Sequence, residues 1–226
     1  MQTSNSSLIK KEQLLPFILV TALFLFWAIP NNLNDILIKQ FMKSFAINRF
    51  WAGLVQSAFY LGYFVIAIPA GLIMRKYNYK TGLLIGLFLY STGTILFWPA
   101  AIVGKYWFFL VALFIIASGL SFLETGANPF IARLGSSETS ARRLNFSQSF
   151  NPVGAILGAL IGTAFILSGI EPSDQKIAAM KAAGEYESYL RTETLRVVTP
   201  YVILGCVVFI WGILILFTRK NKGCTD

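Results

Sequence analysis

Residues 106–129 read Tyr106-Trp-Phe-Phe-Leu-Val-Ala-Leu-Phe-Ile-Ile-Ala-Ser-Gly-Leu-Ser-Phe-Leu-Glu-Thr-Gly-Ala-Asn-Pro129. The run is apolar as far as Leu123 and long enough to lie in hydrocarbon, which takes ~20 residues of helix. Glu124 then stands at the centre of its polar end, Gly119 to Pro129. An acid in the middle of a membrane helix costs about 2.5–3.5 kcal/mol on insertion scales, so it marks a functional site wherever a second polar element faces it. Asp35, in Asn31-Asn-Leu-Asn-Asp-Ile-Leu37, is the other acid placed this way.

Composition extends the reading to the whole chain. Of 226 residues, 56% are hydrophobic and 13% charged, with a mean hydropathy of +0.65. Apolar runs of membrane-crossing length recur, which makes this a polytopic, all-α membrane protein. The net charge of +9 is no nucleic-acid signal, because Lys and Arg sit at the ends of apolar runs and no basic stripe interleaves with aromatics. Cys206 and Cys224 imply no disulfide framework. The absence of His removes the usual metal ligand and general base, so no metal, no cofactor and no enzymatic activity are expected.

Six spans are expected, near Leu15–Phe45, Trp51–Met74, Thr81–Val103, Tyr106–Ala132, Leu144–Leu167 and Pro200–Phe217. Residues 1–14 form a polar tail, 15–218 the bundle and 219–226 a second tail. No small-residue cleavage site follows the first apolar run, so it is read as a retained span. With the N-terminus inside, eleven Lys and Arg fall on inner segments and eight on outer ones. Four of those eight lie in the long loop Ile170–Thr199, which counts less. Both termini are therefore placed in the cytoplasm, with the protein in the cell's inner membrane.

Polar residues inside the spans fall on stripes. Trp27, Asn31 and Asp35 recur every four residues, with Asn34 beside them, and Pro30 frees a backbone carbonyl that a neighbour must satisfy. Gln56, Tyr60 and Tyr63 mark the second span. Ser121, Glu124, Thr125 and Asn128 mark the fourth, and Asn145, Gln148, Ser149 and Asn151 the fifth. Spans three and six carry few such groups and read as lipid-facing scaffold. Amides, hydroxyls and rings around one or two carboxylates suit an uncharged polyhydroxylated ligand, since sugar hydroxyls need paired donors and acceptors and the sugar's apolar face stacks on aromatics. An anionic ligand would call for intramembrane Arg or Lys. The alternatives are that the amides are interhelical glue and that Asp35 pairs with Lys39 one turn on. Glu124 has no basic residue within a turn.

Span five continues as Gly154-Ala-Ile-Leu-Gly158-Ala-Leu-Ile-Gly162, a doubled GxxxG pattern that lets another backbone approach closely. Packing within the six helices could use such a face, but for a doubled motif a partner beyond them is the expectation.

Several stretches together resemble the N-terminal half of a major facilitator superfamily transporter, and within it the fucose–proton symporter family. They are Trp27–Ile38 (WAIPNNLNDILI), Ala52–Tyr63 (AGLVQSAFYLGY), Ile68–Arg75 (IPAGLIMR), Gly86–Pro99, Leu123–Phe130 (LETGANPF) and Arg143–Ile156 (RLNFSQSFNPVGAI). Gly71–Lys76 stands where the superfamily has its loop motif between helices two and three, without that motif's aspartate, as in that family. The resemblance implies half of a major facilitator fold: a six-helix bundle of two inverted three-helix repeats, in which spans one and four are equivalent cavity helices.

It further implies sugar–H⁺ symport by alternating access, with Asp35 and Glu124 serving proton coupling and sugar recognition. Asn32, Gln56, Tyr60, Gln148 and Asn151 match further sugar-binding positions. The substrate is expected to be L-fucose or a related hexose, with a galactose or glucose carrier as the alternative. Asp35, in the denser amide stripe, is the expected carrier of the sugar-coupled proton, and Glu124 gates or sets a second protonation. The family has twelve spans and this chain six, so a half-length form is expected, completed by a complementary six-helix half or a second copy. The reading from another class is a non-transporting membrane remnant or assembly partner.

Overall fold

The computed structural model describes residues 9–167 and 172–218. Residues 1–8, Glu171 and the tail 219–226, with Arg219, Lys220, Lys222 and Cys224, lie outside them. The described residues form helices α1 (Leu14–Ser44), α2 (Arg49–Ala52), α3 (Leu54–Lys76), α4 (Tyr79–Ile95), α5 (Phe97–Val103) and α6 (Tyr106–Arg133). They continue with α7 (Ser140–Gln148), α8 (Phe150–Ile161), α9 (Asp174–Ala182), α10 (Tyr186–Leu195) and α11 (Val198–Phe217). Among these residues six helical spans are long and apolar enough to cross a membrane: Lys11–Ser44, Arg49–Lys76, Tyr79–Val103, Tyr106–Arg133, Ser137–Ile166 and Tyr186–Phe217. The chain is a multi-pass helical membrane protein.

Prolines explain where the spans loosen. Helix geometry lapses at Leu96, three residues before Pro99, and at Ser149, three before Pro152. A proline ring crowds the carbonyl four residues back and offers no N–H to it. Pro30, Pro69 and Pro129 lie within unbroken helices. Pro30 deprives the Phe26 carbonyl of its helical donor, and the buried Tyr90 hydroxyl of α4 replaces it at 2.8 Å. With no water in hydrocarbon, such a replacement is what makes a mid-span proline tolerable.

The packing repeats itself. Helix α1 lies along α8 and α3 lies along α6, and exchanging spans one to three for spans four to six maps one pair onto the other. Helices α4 and α11, also exchange partners, pack on each other, where Ser91 Oγ donates to the Gly205 carbonyl at 2.9 Å. These pairs fit two inverted three-helix repeats, and the departure from symmetry is the broad α4–α6 contact, whose counterpart between α11 and α1 is slight.

The glycine-rich face of α8 has its partner inside the bundle, which corrects the expectation of an outside one. A Cβ on Gly154 would collide with the Leu25 carbonyl, and one on Gly158 would sit 2.8 Å from the Ile29 carbonyl. Gly162 faces the side chains of Ile36 and Leu33. The small-residue stripe is thus the seam between α1 and the fifth span.

Burial corrects a second expectation. Span three is 50% buried, whereas spans two and five are each only 22% buried. Span three is wedged against α6 and α11, so it is not lipid-facing scaffold throughout. Tyr60, Phe64 and Ile68 of α3 and Val153, Ile156 and Leu160 of α8 stand exposed. The long loop is also more ordered than its composition suggests. It folds into α9, whose N-cap Ser173 accepts from the Lys176 N–H, and α10.

Two basic residues counted as orienting cations close helix ends. Arg143 is fully buried and donates to the carbonyls of Ile131, Ala132 and Ser136 at 3.3, 2.9 and 3.0 Å, capping the C-terminus of α6. Lys80 donates to the Leu216 and Thr218 carbonyls at 2.8 and 2.6 Å at the end of α11. Cations there also meet the negative end of the helix dipole.

Three substitutions, one of them a control, test the seam and the proline repair in detergent-solubilised protein by unfolding titration. Gly158→Leu overpacks the α1 contact and is expected to cost about 1–3 kcal/mol. Gly71→Ala, where the nearest atom is Thr125 Cγ2 at 4.0 Å, is expected to cost less than about 0.5 kcal/mol. Tyr90→Phe strands the Phe26 carbonyl and is expected to cost about 1 kcal/mol.

Candidate functional site

A line of polar side chains crosses the exposed side of the bundle. It starts on α1, where Asp35 is exposed and accepts a hydrogen bond from Gln56 Nε2 of α3 at 2.8 Å. Gln56 Oε1 in turn accepts from Asn34 Nδ2 at 3.0 Å. Asn34 is 1% exposed, and its own Oδ1 has no partner. The alternative pairing of Asp35 with Lys39 is not among the ion pairs of the described residues. Asp35 is held by an amide instead.

The line continues along α3. Tyr60 is exposed, and Tyr63, one turn on, lies within electrostatic reach of Glu124 and at 3.5 Å from Asn31 Nδ2. At that distance the Asn31 contact is marginal as a hydrogen bond. Ser121 Oγ donates to the Tyr63 carbonyl at 3.2 Å and ties α6 to α3. Glu124 itself is exposed, so the acid that looked costly in an apolar helix faces away from the packed interior.

Beyond Glu124, Asn128 Nδ2 donates to the Glu124 carbonyl at 3.1 Å, and Asn128 Oδ1 accepts from Gln148 Nε2 at 3.2 Å. Asn151 is half-buried at the start of α8. Asn31 and Asn32 donate back to the Trp27 and Ala28 carbonyls of their own helix, each at 2.8 Å, which leaves their oxygens as the available acceptors. Trp27 is buried against Phe24, with ring centroids 4.8 Å apart, and does not line the open side. Of the residues read from the sequence, the structure therefore joins Asp35 with Gln56, and Gln148 with Asn128 one turn from Glu124. It leaves Tyr60 and Asn151 beside them without a side-chain bond to the acids among the described residues.

The two ends of this line are copies of one another. Gln56-Ser-Ala-Phe-Tyr-Leu-Gly62 in span two and Gln148-Ser-Phe-Asn-Pro-Val-Gly154 in span five share their first two residues and their last. In both, the Gln reaches a polar residue on the preceding central helix, and the Gly packs on the other central helix: Gly62 on Phe114 and Ala117 of α6, Gly154 on Leu25 and Ala28 of α1. Aligning span two with span five would have exposed this repeat.

Chemically, this side offers two carboxylates, several amides that can donate or accept, a phenol and exposed rings, with no Arg or Lys bonded into the line. It suits neutral, hydroxyl-rich ligands.

The chain matches the family model described as Major Facilitator Superfamily over residues 15–223. It belongs to the major facilitator superfamily. Among curated relatives, it is 46% identical over 209 residues to the L-fucose-proton symporter of Escherichia coli (strain K12), covering 92% of this chain and 48% of that protein. It is 40% identical over 149 residues to the glucose/galactose transporter of Brucella abortus (strain 2308), covering 66% and 36%. The crystal structure of the E. coli fucose:proton symporter FucP superposes with a TM-score of 0.79 at 45% identity, over 94% of this chain and 51% of that one. The chain spans about half the length of the curated relatives it matches, and its architecture is that of half a major facilitator fold.

A second polar cluster, hidden in the sequence, lies toward the C-terminal end of α1. Glu193 of α10 is 3% exposed and receives Gln40 Nε2 at 2.9 Å, Lys43 Nζ at 3.2 Å and Arg196 Nε at 3.5 Å. Gln40 Nε2 also donates to the Glu193 carbonyl at 2.8 Å. Breaking a buried pair leaves an uncompensated charge, the expensive half of such an interaction. Lys43→Met is therefore expected to destabilise the detergent-solubilised protein by about 1–3 kcal/mol, reduced because Gln40 and Arg196 remain. Lys43→Met combined with Glu193→Leu should recover most of that loss in the same unfolding titration.

Proposed function

We propose that this chain forms the N-terminal half of a proton-coupled hexose carrier, with L-fucose as the substrate, working by alternating access in the cell membrane. The observation that carries the reading is the Asp35–Gln56–Asn34 chain beside an exposed Tyr60, continued through Tyr63 to Glu124 and the Asn128–Gln148 pair. Both intramembrane acids stand exposed along it, and the groups around them match sugar hydroxyls and not anions, which supports the reading. The sequence similarity to L-fucose-proton symporters supports the choice of sugar. A glucose or galactose substrate is the second reading, favoured by the similarity to glucose/galactose transporters.

In this reading Asp35 carries the sugar-coupled proton and Glu124 sets the second protonation. Asn32, Gln56, Tyr60, Gln148 and Asn151 hold the sugar. A carboxylic acid crosses a dehydrated state more cheaply than a carboxylate, so proton and sugar favour the same occluded conformation and their movements are coupled. The sparsely buried spans two and five receive the complementary six-helix half, and both termini lie in the cytoplasm. The partition 1–14, 15–218 and 219–226 follows from that topology.

Reconstitution with radiolabelled fucose and an imposed pH gradient tests the reading, using the chain alone and together with a complementary six-span half. Uptake is expected with the pair. Asp35→Asn and Glu124→Gln should each lower pH-driven uptake by at least about tenfold, the loss of roughly 1.4 kcal/mol of coupling. Coupling by these acids is wrong if both variants keep pH-driven uptake. Competition by unlabelled fucose, galactose and glucose ranks the sugars, and a stronger effect of galactose or glucose would select the second reading.

A further inference from the structure

We propose that Asn34 and Gln56 form a two-state amide relay that follows the protonation of Asp35, with Asn34 as the residue that positions Gln56. The inference rests on the reading of Asp35 as a proton-carrying group. Its basis is geometric. Gln56 Oε1 is occupied by an N–H of Asn34, so Gln56 Nε2 is the atom turned to Asp35 Oδ1. Turning the Gln56 amide alone would set N–H against N–H at Asn34 and oxygen against carboxylate at Asp35. The observed orientation suits an ionised Asp35, which only accepts, and offers no amide acceptor to the O–H of a protonated one.

Asn34 is where the second state is prepared. It is 1% exposed, and its Oδ1 is buried without a partner. When a proton from the open side forms an O–H bond on Asp35, both amides can turn over together. Asp35 O–H then donates to Gln56 Oε1, and Gln56 Nε2 donates to Asn34 Oδ1, which gains the partner it lacks. The Asn34 N–H is then the group left over, so each state leaves one end of Asn34 unpaired. The observed arrangement is the resting one: Asn34 holds Gln56 as a donor to the carboxylate, and a proton on Asp35 turns the pair over.

The neighbouring elements carry the following titratable and polar groups. Lys39 lies one turn on along α1, Arg49 is on α2, Tyr60 and Tyr63 on α3, and Glu124 on α6. Arg143 of α7 is committed to backbone carbonyls, and Glu193 and Tyr189 of α10 are engaged with Lys43 and Gln40. Helix α8 brings Asn151, and α11 meets α1 through Trp211, whose indole N–H donates to the Leu19 carbonyl. Among the described residues only Gln56 hydrogen-bonds Asp35.

The test is an infrared titration of carboxyl C=O stretches on the purified chain in lipid nanodiscs, with the Asp35 band assigned by its loss in Asp35→Asn. Asn34→Leu frees the Gln56 amide to accept from a protonated Asp35, so the midpoint of that band should move toward neutral pH by about one pH unit, tenfold in proton affinity. Asn34→Ala should do the same if the leucine variant does not fold, and an unmoved Glu124 band, assigned with Glu124→Gln, reports an intact bundle. Because Asn34 acts through Gln56, adding Asn34→Leu to Gln56→Leu should move the midpoint no further. Equal shifts in both backgrounds, or no shift in either, would overturn the relay while leaving Asp35 a titrating site. A spectrum in which Asp35→Asn removes no titrating band would overturn both the relay and the proton-carrying role.

Discussion

Hydrocarbon offers no hydrogen-bond partners, and the bundle is arranged around that constraint. Pro30 sits in the middle of the most extensively packed helix of the first repeat and opens a carbonyl at Phe26. The Tyr90 hydroxyl, delivered by α4 from the opposite side, closes it. The same logic governs the helix ends, where Arg143 and Lys80 collect the last carbonyls of α6 and α11. It also governs α10, where Glu193 is admitted to the interior only with three nitrogens around it. The exposed side of the bundle carries the polar groups left over, Asp35, Tyr60, Glu124 and Gln148 among them, and those are the candidate ligand groups.

Position on that side is set by apolar packing. The three glycines of the fifth span bring its backbone against α1, and Gly62 does the same for α3 on α6. Close backbone approach fixes the rotation of each helix about its axis. That rotation turns Asp35, Gln56, Glu124 and Gln148 to a common face and turns Trp27 and Asn34 inward. The seam and the polar line are thus two consequences of one helix register.

Six spans, the two acids and the four polar stripes were legible in the sequence because an apolar run is a strong local signal and a polar residue within it is conspicuous. Partners were less legible. A doubled GxxxG states that some backbone comes close, not which, and α1 proved to be the partner. Arg143 reads as an orienting cation because its acceptors are mainly nearby backbone carbonyls, which carry no side-chain signal, and Glu193 reads as a loop acid because Gln40 lies 153 positions away. The helices α9 and α10 were missed because the polar loop shows weak helical periodicity. Asn34 was visible as a neighbour of the stripe, but only burial separates it from Asn31 and Asn32.

The repeated segment Gln56 to Gly62 and Gln148 to Gly154 has a consequence for symmetry. In an inverted repeat, spans two and five run in opposite senses through the bundle, so one short design faces both of its ends. A substitution and its repeat-related twin then act on equivalent contacts at opposite ends of the same fold.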